Sequence, residues 1–171
     1  MRPTEVKKPR RDKTPEAALA QLMRLCARAE KTQHDARRLL RSWGVDDAEA
    51  EKITARLVSD RFIDDARYAG AFVREKTRLS GWGAYKIRAA LQRKGIASDT
   101  IEEALAQADP EQMAERLRTQ LERKVRLTKY DTRYELKNKL MRYGLSLGYD
   151  YGAVHDAVAE LVADTELCDE F

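Results

Sequence analysis

Leu40-Arg41-Ser42-Trp43-Gly44-Val45, Leu91-Gln92-Arg93-Lys94-Gly95-Ile96 and Leu140-Met141-Arg142-Tyr143-Gly144-Leu145 share one spacing: leucine, three residues, glycine, aliphatic residue. The glycines stand 51 and then 49 residues apart. A glycine at C′ closes a helix in the left-handed conformation, and the C3 leucine then touches the C″ aliphatic residue. Glycine enters that conformation with no Cβ in the way. Three helices ending alike at a near-constant period are the signature of a tandem helical array.

Working outward from these glycines, start signals and apolar periodicity fill the intervals. Thr14-Pro15-Glu16 reads as N-cap, proline at N1 and an acid in the first turn, with Leu19, Leu22, Met23 and Cys26 on one face. Thr32 with Asp35 forms a capping-box pattern before a helix carrying Ala36, Leu39, Leu40 and Trp43 inward to Gly44. Asp46-Asp47 opens a third helix with Ala50, Ile53 and Leu57 inside. Asp64-Asp65 opens the fourth, with Ala69, Phe72, Val73 and further along Leu79 as its buried set, broken at Ser80-Gly81-Trp82-Gly83. The fifth carries Ile87, Ala90 and Leu91 to Gly95, and Asp99 with Glu102 is the expected cap of the sixth, whose core face is Ile101, Ala104, Leu105 and Ala108. Asp109-Pro110 starts a seventh helix of about four turns through Met113, Leu117, Leu121 and Val125. Leu136, Leu140 and Tyr143 lead to Gly144, and a connection from Ser146 to Tyr151 precedes Val154, Ala157, Val158 and Leu161.

The expected fold is therefore all-α: an elongated array of three tandem three-helix repeats, nine helices, with no significant sheet. The expected boundaries are repeats over 15–60, 61–108 and 109–163, a disordered basic arm over 1–14 and an acidic tail over 164–171. One trio is too small for a stable core, and stacked units share their apolar faces.

Composition narrows the class. The chain has 171 residues, 36% of them charged, and a mean hydropathy of −0.68, which suits a helical body with much surface. No stretch approaches the ~20 apolar residues that span a bilayer. Residues 1–14 lack the apolar run of a secretion signal, so the expected compartment is the cytoplasm. Cys26 and Cys168 fit no metal spacing and read as a small packed hydrophobe and a tail thiol. No Gly-rich phosphate loop is followed by Lys-Ser/Thr, and His34 and His155 have no sequence neighbour that makes a metal or nucleophile–base pair. The pairs Asp46-Asp47 and Asp64-Asp65 read as helix caps rather than catalytic carboxylates. Nothing forms a catalytic constellation, so the expected protein is not an enzyme and needs no cofactor or metal.

The net charge of +4 is unevenly spread. Residues 1–14 hold six bases and two acids, residues 110–142 ten bases and five acids, and residues 143–171 seven acids with no Lys or Arg. Within each trio the second helix is basic, at +2 over 33–43, +4 over 84–94 and +2 over 131–143. The third is acidic, at −2 over 46–59, −3 over 98–108 and −3 over 150–163. Helix-dipole complementarity accounts for Asp46, Asp47 and Asp99, and for Arg41, Arg93, Lys94 and Arg142. It leaves Arg37, Lys86, Arg88 and Arg133 near helix starts, where a cation is mildly unfavourable. A basic stripe binding an anionic assembly is the functional reading, and solvated surface is the plain one. Trp43, Phe62, Phe72 and Tyr143 lie at core spacing. Trp82, between two glycines and ahead of a basic helix, either stacks on a base or partner or plugs the helix junction. The candidate partner- or DNA-binding residues are Arg37 and Arg41 in the first trio. In the second they are Arg74, Lys76, Arg78, Trp82, Tyr85, Lys86, Arg88, Arg93 and Lys94, and in the third Arg133 and Lys137.

The segment Phe62-Ile63-Asp64-Asp65-Ala66-Arg67-Tyr68-Ala69-Gly70-Ala71-Phe72-Val73, then Gly81-Trp82-Gly83-Ala84-Tyr85-Lys86-Ile87 and Leu91-Gln92-Arg93-Lys94-Gly95-Ile96, resembles the RecX family, bacterial regulators of the RecA recombinase. The match is most specific in the central unit, and topology and length extend it across about residues 15–163. The resemblance implies three tandem three-helix repeats. It also implies a non-enzymatic regulator, mainly an inhibitor, that lies in the helical groove of the RecA filament on single-stranded DNA and modulates strand exchange and ATP hydrolysis. Its expected partners are RecA and single-stranded DNA, directly or through RecA, with no membrane, and it acts as a monomer. The competing reading is a stand-alone helical nucleic-acid-binding protein acting without RecA, and the central break followed by a basic helix could pass for a helix-turn-helix.

Overall fold

The structure is a computed structural model that describes residues 12–166, with side chains through residue 163. Most of the expected basic arm and acidic tail, and Cys168, lie outside the described residues. Among those described are nine α-helices, one π-helical turn and no strand. They form two compact units, one reaching Tyr68 and adding Lys94–Ile96, the other comprising Ala69–Arg93 and the residues from Ala97 onward.

The first unit contains α1 (Pro15–Arg28), α2 (Gln33–Ser42), α3 (Asp47–Ser59) and the opening of α4 (Asp65–Glu75). Local chemistry fixes the starts. Thr14 Oγ1 accepts from Ala17 N, Thr32 and Asp35 close a reciprocal capping box, and Asp46 accepts from Glu49 N at 3.0 Å. Each such cap is worth about 1 kcal/mol. Gly44 has φ 76°, with Val45 N donating to Leu40 O at 3.1 Å and Gly44 N to Arg41 O at 3.2 Å. Those two bonds are the Schellman pair. The core joins Leu22, Leu40, Ile53, Leu57 and Ile63. On α1 the inward line is Ala18–Leu22, while Leu19, Met23 and Cys26 are only half-buried at its flanks. The adjacent acids divide their work: Asp64 caps α4 through Arg67 N at 2.9 Å, whereas Asp65 accepts from Gln33 N at 3.0 Å and so caps α2.

The second unit contains the rest of α4, a π-helical turn (Lys76–Ser80), α5 (Ala84–Arg93), α6 (Ser98–Ala106), α7 (Pro110–Leu127), α8 (Arg133–Ser146) and α9 (Tyr151–Glu166). Its core joins Leu117, Leu121, Leu136, Leu140, Val154 and Val158. Four expectations are corrected here. Leu79 is 73% exposed, because the π turn advances the chain out of α-helical phase and Thr77 takes the inward position. Asp99 does not cap α6. The helix starts one residue earlier, with Ala97 at the N-cap and no side-chain bond, and the Asp99 carboxylate reaches only Thr100 N. Helix α7 has 18 residues, about five turns rather than four.

The glycine motif itself departs from expectation in the third trio. Gly144 does not end α8, which runs on to Ser146, and the positive φ of 91° belongs to Gly148. Gly148 N donates to Leu145 O at 3.0 Å, and Tyr149 rather than Leu145 is buried after the turn. Gly144 is needed for close approach instead: a Cβ there would lie 2.6 Å from Val154 Cγ1. The glycines that close the second helices are thus Gly44, Gly95 (φ 71°) and Gly148.

Candidate functional site

The carbonyl at each second-helix C-cap is met by an earlier segment of the chain. In the first unit Lys13 N donates to Trp43 O at 2.9 Å and Thr32 Oγ1 to Lys94 O at 3.2 Å. In the second unit Gly83 N donates to Leu147 O at 2.8 Å, and Tyr85 N to Gly148 O at 2.9 Å. The glycines make these junctions possible. A Cβ on Gly95 would sit 2.6 Å from His34 Cβ, and one on Gly83 2.4 Å from the Gly148 carbonyl oxygen. The Gly81-Trp82-Gly83 break therefore docks the start of α5 on the end of α8 and fixes where the α5 side chains emerge.

Trp82 is half-buried there. Its ring meets Phe72 edge to face, with centroids 6.4 Å apart and planes at 67°. Lys86 Nζ lies 4.7 Å from the Trp82 centroid and donates to Ser146 O at 3.2 Å. Lys76 Nζ lies 5.4 Å from the same ring and pairs with Glu75 at 2.9 Å. Two ammonium groups over one indole are cation–π contacts, which concentrate positive potential at an aromatic face. Tyr85, 61% exposed, carries the Arg88 guanidinium 5.5 Å from its ring centre. Trp82 thus packs into the junction, while Tyr85 is the exposed ring.

The basic second helix meets the acidic third helix in the first two trios. Arg37 Nε and Nη2 reach the two Glu51 carboxylate oxygens at 2.7 and 3.2 Å. Arg88 reaches Glu102 in the same bidentate way at 2.6 and 3.0 Å, with each partner 51 residues further along. The hydrogen bond from Arg37 holds the Glu51 carboxyl below the usual carboxylate range, and that from Arg88 does the same to Glu102. Arg41 lies 3.6 Å from Asp47, and Lys94 3.7 Å from the largely buried Asp35. This supplies the reason that helix dipoles did not for Arg37 and Arg88: their cations are held by carboxylates of the next helix. Among the described residues Arg74, Arg78, Arg93 and Lys137 have no carboxylate partner. Arg133 has an interaction of its own.

Three polar atoms that sequence reading passed over are buried without a hydrogen-bond partner: Thr77 Oγ1, Arg116 Nε and Tyr149 Oη. Burial pushes the Tyr149 phenol up to about 12, with Arg116 opposing. Thr77 stands four residues after Val73 and eight after Ala69, so helical spacing already carried it inward with them. The Glu51 and Glu102 partnerships were foreshadowed by the acidic third helices. His34 packs against Gly95, and His155 Nδ1 lies 3.3 Å from Asp156. Among the described residues no helix is long and apolar enough to cross a membrane, and no acid, His and Cys cluster has metal-holding geometry.

Comparison with known proteins places these features in a family. The model of the RecX second three-helix domain matches residues 64–105, and that of the third three-helix domain matches residues 111–158. The regulatory protein RecX of Prosthecochloris aestuarii is 31% identical over 135 residues, covering 79% of this chain and 87% of that one. That of Clostridium botulinum strain Alaska E43 is 38% identical over 133 residues, covering 76% of this chain and 61% of its relative. The chain thus spans about three-fifths of that relative's length. The crystal structure of RecX from Lactobacillus salivarius superposes with a TM-score of 0.80 at 22% identity, over 86% of this chain and 96% of that one, showing the same fold. The paired C-cap junctions, the all-helical trios and the matched domains lead to one conclusion: this chain belongs to the RecX family of regulatory proteins.

Proposed function

We propose that the chain regulates the RecA recombinase, mainly as an inhibitor, by binding the RecA–single-stranded DNA filament in its helical groove and slowing strand exchange and ATP hydrolysis. The observation that carries the reading is the cation–aromatic surface of the second unit. Lys76 and Lys86 cover Trp82, Tyr85 is exposed beside them, and Arg74, Arg78 and Arg93 have no carboxylate partner among the described residues. Cations held at an aromatic face, an exposed tyrosine and further arginines without carboxylate partners in the same unit suit a single strand's phosphates and bases. Within the second unit Arg88 adds charge to this surface around its own ion pair with Glu102; Arg37, Arg41 and Lys94 of the first unit, and Arg133 and Lys137 in the third trio, are contacts proposed separately. The chain acts as a monomer across the filament.

The test is RecA-catalysed ATP hydrolysis on single-stranded DNA, with and without substoichiometric protein. Hydrolysis falls if the reading holds. Reversal of Lys76, Lys86 and Arg93 to Glu restores it while leaving the circular dichroism spectrum native. Unchanged hydrolysis together with tight binding to naked single strands hands the function to a nucleic-acid-binding protein that acts without RecA.

A further inference from the structure

The π-helical turn Lys76–Ser80 places the Thr77 side chain, 4% exposed, on the wall of a cleft of about 370 Å³. Arg74, Arg78, Gln107 and Gln112 line the same cleft. Thr77 Oγ1 has no hydrogen-bond partner. A buried hydroxyl in that state is costly, and native structures keep such groups for a reason. π-helical turns are rare and frequently occur at functional sites.

A second recess, of about 320 Å³, shares Arg78 and Gln112 with the first and adds Arg116 and Thr119. Arg116 donates through Nη2 to the Arg78 carbonyl, but its Nε is buried with no acceptor. Two recesses with Arg78 and Gln112 in common are thus lined by residues that carry two orphaned buried groups able to donate. None of their three arginines has a carboxylate partner among the described residues. Two carboxylates stand on the walls beside these three arginines. Asp109 already accepts from Glu111 N at 2.9 Å and Gln112 N at 3.4 Å, leaving Glu115 as the other carboxylate on the walls.

We propose that these two recesses form a phosphate-binding site, in which Arg74 and Arg78 hold phosphate in the first with the Thr77 hydroxyl donating to one of its oxygens, and Arg78 and Arg116 hold phosphate in the second. Phosphate is the ligand class because it offers several acceptor oxygens to guanidinium forks and a hydroxyl at once. A phosphodiester of a single strand and a free polyphosphate present the same chemistry. The site needs no RecA, so its test and the test of RecA regulation fail separately.

The full chain is titrated by calorimetry and fluorescence anisotropy with pyrophosphate, ATP and an oligothymidylate. Binding of the oligonucleotide alone identifies the phosphodiester as the source, whereas binding of pyrophosphate or ATP, in competition with the oligonucleotide or without it, identifies a free-phosphate site. Arg74→Gln/Arg78→Gln loses the binding of whichever probe the site takes. With the oligonucleotide it flattens the slope of log affinity against log salt by about 1.4, two contacts at about 0.7 each. Thr77→Val is the decisive variant. It removes an unsatisfied hydroxyl from an otherwise unchanged shape, so the free protein melts at the same or a higher temperature while probe affinity falls severalfold. A Thr77→Val protein that melts lower gives the hydroxyl a structural role and overturns the proposal. So does wild-type protein that binds none of the three probes, or variants that bind them all as tightly as wild type.

Discussion

Gly144→Ala decides between two roles for the third motif glycine. Within a straight α-helix, replacing glycine by alanine stabilises by about 1 kcal/mol, since the unfolded chain loses freedom and the helix gains a side chain. In α8 the new Cβ meets Val154 Cγ1 at 2.6 Å and Cγ2 at 3.0 Å. Val154 is fully buried on α9, and a β-branched side chain in a helix has essentially one χ1 rotamer, so it cannot swing away. Overpacking of this kind costs about 1–3 kcal/mol. The clash outweighs the propensity gain, and the variant is destabilised by about 1 kcal/mol. Val154→Ala removes both contacting methyls, at a cost of about 1.6 kcal/mol of transfer energy plus a cavity term. In that background Gly144→Ala becomes stabilising, and the cycle reports a coupling of about 2 kcal/mol. Urea unfolding of the four proteins measures it, through midpoints at a constant m value. A helix-closing, left-handed glycine would make alanine unfavourable in both backgrounds with no coupling. Zero coupling, or Gly144→Ala raising the midpoint of the otherwise wild-type protein, refutes the close-approach argument.

Three further outcomes follow from the geometry. Gly95→Val costs about 2–5 kcal/mol, the sum of a left-handed β-branched residue and a Cβ placed 2.6 Å from His34 Cβ, and shows as a lower melting temperature. The Glu51 and Glu102 carboxyls titrate lower in the folded chain than their ordinary value of 4.5, so their stabilisation is complete above 4.5 and is lost as the pH falls through the depressed values. Arg37→Met/Arg88→Met flattens that acid limb of urea midpoint against pH, and an unaltered limb counts against the ion pairs. Tyr149 is the reverse case: its raised value keeps its stability contribution intact below 10, and the contribution is lost as the pH rises through about 12. An ultraviolet titration of tyrosinate finds one late-ionising phenol that Tyr149→Phe abolishes, and a Tyr149→Phe titration identical to wild type contradicts its burial.

Much of the fold was legible because helix caps and apolar periodicity are local. Thr14-Pro15, Thr32 with Asp35, Asp46 and Asp109-Pro110 all start helices where their residue types demand, through bonds spanning two or three residues. The candidate site was legible in part. The second-helix cations and the Gly81-Trp82-Gly83 break stand out in the sequence, but their partners lie 14 or more residues away: Glu51 for Arg37, Glu102 for Arg88, and Leu147 O for Gly83 N.

Residue order by itself determined that this chain is helical, that its helices come in trios, and that glycines recur where second helices close. Those properties depend on backbone conformation and side-chain bonds within one turn. Tertiary structure decided which glycine closes α8, which face Leu79 takes, and which cations carboxylates already hold. Close approach of Gly144 to Val154, the out-of-phase π turn and bidentate pairing between helices depend on distances between segments, and no local spacing encodes those distances.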